Sequence, residues 1–190
     1  MFIHEMFQQK PCVFSVEVFP PKKAGAAEET LYPVLRELCT LGPDYISVTY
    51  GAGGGTAGQS TAKIASYIKN GLHVEALAHL TCVNSTRVQV EETLTRLRED
   101  NVENVLALRG DINPDLPRRM DFLHASDLAK AIAQTGGFGV AGACYPEGHV
   151  ESPSLKADVE SLRYKAEAGV SHLITQLFFD NVSYYRFLNM

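Results

Sequence analysis

No apolar run in this 190-residue sequence approaches the ~18 residues that a membrane span needs. Its first residues, Met1-Phe2-Ile3-His4-Glu5, lack the basic-then-apolar order of an export signal. Both absences predict a cytoplasmic protein with no membrane partner. Basic residues are few and scattered: Lys and Arg total 17 against 22 Asp and Glu, for a net charge of -5. The densest basic stretch, Leu116-Pro117-Arg118-Arg119, lies between Asp115 and Asp121. Phosphate backbones need a clustered basic footprint, so nucleic acid is excluded as a main partner. Cysteine is also sparse, and Cys12, Cys39, Cys82 and Cys144 form no Cys-x-x-Cys pair. That spacing argues against a zinc site and a redox dithiol and predicts free thiols. His4, His73, His124 and His172 show no ligand spacing, and no metal is expected.

What remains is an ordinary globular composition, 45% apolar and 21% charged, with 15 Gly and 9 Pro. Disorder and collagen-like structure are excluded. A chain of this length buries roughly 70% of its unfolded surface around one core and needs no covalent staple.

Short β-rich runs at 13–19, 45–50, 74–81, 104–108, 138–145 and 172–176 alternate with helical patterns at 28–41, 59–70, 86–100, 122–134 and 154–168. Ser85 or Thr86 is positioned to cap the third helix, whose Val90, Leu94 and Leu97 share one stripe. Pro33 predicts a late start or a kink in the first helical run. Strands beginning roughly thirty residues apart match the ~250 residues that a (β/α)8 barrel divides over eight units. The fold expected is therefore an α/β TIM-type barrel, a single domain over residues 1–190 that contains about six of the eight units and stops short at its C-terminus.

Each strand is apolar until its last residues, then presents a polar group: Glu17, Thr49, His79, Arg109 with Asp111, Tyr145, and Gln176. The C-terminal mouth is where such barrels build active sites. Glu17 sits between two β-branched residues and needs a partner, a ligand or a raised pKa. A desolvated Glu suits proton donation; an ion pair with a residue such as Arg109 is the structural alternative. In Leu108-Arg109-Gly110-Asp111 the two charged side chains project to one side, and Gly110 admits close backbone approach. A plain Arg–Asp pair is equally open. Gly51-Ala52-Gly53-Gly54-Gly55-Thr56 lacks the dinucleotide spacing and reads better as a loop giving backbone access to a ligand. Tyr145-Pro146-Glu147-Gly148-His149 offers an aromatic platform and an imidazole, or simply a Tyr packed on Pro146. His79 alone would read as a core histidine. Gln176 can donate and accept at once, as a heterocycle requires, or bond a strand end.

Six stretches taken together resemble the methylenetetrahydrofolate reductase family. They are Phe14-Ser15-Val16-Glu17-Val18-Phe19-Pro20-Pro21-Lys22, Ser47-Val48-Thr49-Tyr50-Gly51-Ala52, Ala78-His79-Leu80-Thr81-Cys82, Leu106-Ala107-Leu108-Arg109-Gly110-Asp111, Tyr145-Pro146-Glu147-Gly148-His149 and Ile174-Thr175-Gln176-Leu177-Phe178-Phe179-Asp180. The resemblance implies an FAD-containing (β/α)8 barrel that reduces 5,10-methylenetetrahydrofolate to 5-methyltetrahydrofolate. The reductant would be NAD(P)H or a partner electron-transfer protein, and a homo-oligomer stays open. By the same resemblance Glu17 is the general acid that opens the methylene bridge, and Asp111 is the carboxylate near flavin and pterin. Gln176 would hold the pterin, with Tyr185 a neighbour of the folate. Thr49, His79, Leu108, Arg109, Gly110, Asp111, Tyr145, His149, Asp158 and Lys165 would contact FAD, with Arg109 and Lys165 facing its diphosphate. Ser161 and Tyr164 stand where the family pattern has Asn and Arg. Two other readings compete: a methyltransferase-like barrel binding a pterin without flavin, and a non-catalytic assembly domain.

Overall fold

The computed structural model describes residues 1–23, 25–50, 55–112 and 119–190. Six parallel strands form one sheet in the order β1 to β6: Ser15–Val18, Tyr45–Val48, Glu75–Thr81, Asn104–Leu108, Gly139–Cys144 and His172–Thr175. Each is joined to the next through helix, as parallel pairing demands. The sheet curls as an open part of a (β/α)8 barrel, and β1 and β6 are its edges. β4 spans the range that the sequence predicts, and the other five strands run inside theirs, starting later, ending earlier or both.

The helices are α1 Ile3–Gln9, α2 Ala27–Thr30, α3 Tyr32–Cys39, α4 Gly55–Ser66, α5 Arg87–Glu99, α6 Ala125–Thr135, α7 Leu155–Glu167 and α8 Asn181–Leu188. The predicted interruption near Pro33 is real: α2 ends before Leu31 and α3 restarts with Pro33 in its first turn, where a missing N–H costs nothing. Thr86 caps α5 by accepting from the Gln89 N–H, and Gln89 answers through the Thr86 N–H at 2.9 Å. Val90, Leu94 and Leu97 are buried, as their spacing predicts.

Two cores sit on the two faces of the sheet. Outward-facing Val18, Ile46, Val48, Ala78, Leu80, Val105 and Val140 pack under Leu35, Ile64, Leu94, Leu97, Leu128 and Ile132 of the helices. The inner core is small: Tyr45, Leu77, Leu106 and Ala141 close around Ile3 and Met6. Those two come from α1, which the strand and helix patterns do not anticipate. It plugs the barrel at the starts of the strands, where the fully buried Asn104 accepts from the Ile3 N–H at 2.9 Å and donates to the Met1 carbonyl at 3.0 Å. Gly139 makes room for this, since a Cβ there would lie 2.8 Å from the Asn104 side-chain oxygen. The Met1 ammonium pairs with Glu75 and Glu103.

The open edges are apolar. Leu177, Phe179, Val182, Tyr185 and Leu188 are exposed beyond β6, as are Phe14 and Phe19 around β1, and α7 and α8 bury no residue fully. All four cysteines are free thiols. Among the described residues no helix is long and apolar enough to cross a membrane.

Candidate active site

The ends of the strands open into a cavity of about 1540 Å³. Every residue that the family resemblance assigns to flavin contact lies on its wall, from Thr49 and His79 through Leu108 to Asp111, then Tyr145, His149, Asp158 and Lys165. Glu17, Gln176 and Tyr185 are not on the wall. Glu17 reaches it through His79, whereas Gln176 and Tyr185 are exposed beside the open β6 edge.

β4 ends in a tight turn that crosses back to the end of β3. The Arg109 carbonyl accepts from the backbone N–H of Cys82 at 3.1 Å and of Val83 at 2.8 Å. Gly110 follows at φ +83°, with its missing Cβ 3.0 Å from the Thr81 Cβ. That conformation and that clearance both require glycine. Asp111 is exposed and makes no ion pair with Arg109, whose guanidinium is held two-point by Glu151, at 2.6 and 2.7 Å. Arg109 therefore pairs with neither Glu17 nor Asp111. Hydrogen bonding to Glu151 raises its already high pKa.

The loop after β5 folds on itself. Tyr145 meets His149 edge-on, ring centroids 4.7 Å apart at 82°, so its ring is packed against the imidazole. Burial raises the Tyr145 pKa. The His149 N–H donates to Asp158 at 3.0 Å, tying the loop to the first turn of α7, and His149 Nδ1 accepts from the Glu151 N–H. Lys165, two turns further along the same helix, donates to the Ala143 carbonyl at 2.5 Å. Burial lowers its pKa, with Asp158 opposing the shift. Ser161 and Tyr164 also reach the cavity wall; Ser161 donates to the Asp158 carbonyl at 2.6 Å.

At the ends of β1 to β3 a second cluster forms. Ser47 and His79 are buried, with Ser47 Oγ 2.6 Å from His79 Nε2 and 3.4 Å from Glu17 Oε2. His79 Nε2 lies 3.5 Å from the same carboxylate oxygen. Burial lowers the His79 pKa to about 4, so the imidazole is neutral near pH 7 and this approach is a polar contact, not an ion pair. The Glu17 side chain is 49% exposed. The desolvated carboxylate anticipated from its β-branched neighbours is therefore not found: the strand edge leaves one side of Glu17 in water, and Ser47 and His79 supply its partners.

Sequence reasoning misses Ser47 and Glu151 as site residues. Ser47 alternates on the polar face of its strand, a usable signal; Glu151 carries none, because its partner is 42 residues away. His124 to Asp127 at the start of α6 also line the cavity unanticipated. The glycine-rich segment 51–56 falls mostly outside the described residues, as do residues 113–118. No group of three or more His, Cys, Asp or Glu able to hold a metal occurs among the described residues.

A 5,10-methylenetetrahydrofolate reductase of Pectobacterium carotovorum subsp. carotovorum is 39% identical over 173 residues, covering 91% of this chain and 57% of the relative. The Escherichia coli protein of the same name is 36% identical over the same coverage. Methylenetetrahydrofolate reductase (NADH) 1 of Arabidopsis thaliana is 35% identical over 98% of this chain and 34% of its own length. The chain thus spans just over half the length of its bacterial relatives. Among solved structures, 2,3-dimethylmalate lyase, a PEP mutase/isocitrate lyase superfamily member, superposes at a TM-score of 0.67 with 12% identity, over 100% of this chain and 67% of that one. Oxaloacetate acetylhydrolase also reaches 0.67 with 12% identity, over 98% of this chain and 66% of that one. At that identity they speak for the fold alone. The model of the family Methylenetetrahydrofolate reductase matches residues 2–190, and the chain belongs to that family.

Proposed function

We propose that this chain forms the flavin-binding part of an enzyme that reduces 5,10-methylenetetrahydrofolate to 5-methyltetrahydrofolate with FAD. The observation that carries the reading is the cavity at the strand ends, whose lining includes the flavin-assigned residues from the ends of four strands and from α7. The residues present fit a dinucleotide. Arg109 offers a planar fork and Lys165 a point charge for a diphosphate, and Gly110 keeps side chains off the approach to the backbone. FAD, when bound, supplies the hydride.

The protein's own groups do the rest. Glu17 gives a proton to the bridging nitrogen of the folate, which opens the methylene bridge to an electrophile. Asp111 keeps a negative charge beside the ring system and offers the pterin an acceptor. Gln176 pairs with the pterin edge by donating and accepting at once, and Tyr185 flanks the folate. The electrons come from a reduced nicotinamide or from a partner electron-transfer protein.

The test is the purified protein's spectrum and its response to reductants. It should be yellow, be bleached by NADH, NADPH or a reduced donor protein, and be reoxidised by methylenetetrahydrofolate. Glu17→Gln should keep the colour and the bleaching while slowing reoxidation by about 10²-fold. A colourless protein that still binds folate favours the flavin-free pterin barrel, and normal reoxidation in the variant removes Glu17 from the mechanism.

A further inference from the structure

The hydroxyl of Ser47 has one proton and two acceptors within reach, Nε2 of His79 at 2.6 Å and Oε2 of Glu17 at 3.4 Å. It cannot donate to both at once, so the cluster has two self-consistent hydrogen-bond patterns. With Glu17 ionised, His79 Nε2–H donates to Ser47 Oγ, and the Ser47 hydroxyl donates to Glu17 Oε2. With Glu17 protonated on Oε2 the direction reverses: Glu17 donates to Ser47 Oγ, the hydroxyl donates to Nε2, and the imidazole proton sits on Nδ1. We infer that Ser47 is a positioning residue for the proton on Glu17, holding carboxyl and imidazole in one hydrogen-bonded chain so that the tautomer of His79 follows the protonation state of Glu17.

Three observations support the coupling. Ser47 is 6% exposed and His79 8% exposed, so water does not compete for the bonds between them. Near pH 7 the ring is uncharged, since burial lowers its pKa to about 4, and there a neutral imidazole answers a change at Glu17 by moving its proton between nitrogens. Other charges are engaged elsewhere: Arg109 by Glu151, Lys165 by the Ala143 carbonyl. Among the described residues His79 is the ionisable group in contact with Glu17.

The chain also gives Glu17 a route of reprotonation. After Glu17 has given its proton to substrate, one proton arriving at His79 Nδ1 from the cavity lets the Nε2 proton pass to Ser47 Oγ and the hydroxyl proton pass to Glu17 Oε2. One proton enters, the carboxyl gains one, and nothing is oxidised or reduced. Direct exchange with water serves Glu17 while its side chain is half exposed; a substrate seated over it closes that path and leaves the route through Ser47.

The catalytic part of this inference rests on Glu17 being the acid of the proposed reaction, whereas the hydrogen-bonded chain does not. Long-range ¹⁵N–¹H correlation spectra of the ¹⁵N-histidine-labelled protein report the His79 tautomer directly. Near pH 7, where the ring is uncharged, the signal should move from the Nε2–H pattern in the unsubstituted protein to the Nδ1–H pattern in Glu17→Gln, whose amide donates to Ser47 as a protonated carboxyl would. Ser47→Ala should abolish that movement, and Ser47→Thr, which keeps a hydroxyl, should restore it. A tautomer that is the same with Glu17 and with Gln at that position, or that still changes in the Ser47→Ala background, overturns the inference. With flavin bound, Ser47→Ala should shift the pH profile of reoxidation by methylenetetrahydrofolate by about one unit while flavin reduction keeps its rate, and Ser47→Thr should return the profile. An unshifted profile refutes the catalytic coupling. Absence of flavin refutes the proposed function and leaves the tautomer measurement to decide the hydrogen-bonded chain.

Discussion

Arg109 and Glu151 meet in a two-point ion pair, Nη1 to Oε2 at 2.6 Å and Nη2 to Oε1 at 2.7 Å, although 42 residues separate them. A carboxylate therefore occupies the guanidinium fork that the proposed diphosphate needs. Glu151 is 50% exposed, and pairs in water contribute only about 0–1 kcal/mol, so a ligand can displace it.

Glu151→Gln should consequently tighten flavin binding by up to about fivefold, the equivalent of removing a competitor of that strength. Flavin fluorescence titration reads the affinity, and a thermal melt should hardly move. Weaker binding in the variant would mean that Glu151 shapes the site and does not compete for it.

Asp111 is exposed at the cavity wall, and the ion pair of Arg109 is with Glu151. Asp111→Asn should raise the flavin midpoint potential on the order of 30 mV, about 1.4 kcal/mol for a two-electron couple, and weaken folate binding. Dye equilibration measures the potential; an unchanged value places Asp111 away from the ring.

Gly110→Ala forces a Cβ to within 3.0 Å of the Thr81 Cβ at φ +83°. The strain and the clash together should cost about 1–3 kcal/mol, read as a lower urea midpoint. A neutral effect would show that the turn after β4 adjusts freely.

Stability should fall in mildly acidic solution. Burial lowers His79 to about 4, and burial with His4 nearby lowers His172 to about 4, against 6.5 for the free side chain. The folded state therefore binds fewer protons than the unfolded chain between those values. Its stability is fully present above about pH 6.5 and declines as pH falls toward 4. Asp44, held down by Lys10, and Glu103, held down by the Met1 ammonium, lose their contributions lower still. Urea midpoints at pH 7.5 and pH 5 should differ, and His172→Gln should shrink the difference; an equal drop in the variant would take His172 out of the titration.

The strand–helix alternation, the α5 stripe, the Thr86 cap and the break beside Pro33 are all legible in the sequence, since each depends on residues within a turn or two of one another. The polar strand ends are legible for the same reason: alternation along a strand assigns Glu17, Thr49 and His79 to one face before any neighbour is known. Their partners are not. Only the pairing of β1, β2 and β3 in register brings Ser47 between Glu17 and His79, and only the loop after β5 carries Glu151 to Arg109. The plug α1 escaped for a related reason: seven residues with two buried side chains carry too little periodicity to read, and what fixes them is Asn104 and the space beside Gly139, a hundred and more residues away. The burial of Glu17 was misjudged because β-branched neighbours describe a strand's own propensity, whereas exposure is set by what packs against it, and β1 is an edge. Local periodicity thus determined the elements and the face each presents; long-range packing decided which polar groups meet, because hydrogen bonds and burial depend on distances that chain separation does not encode.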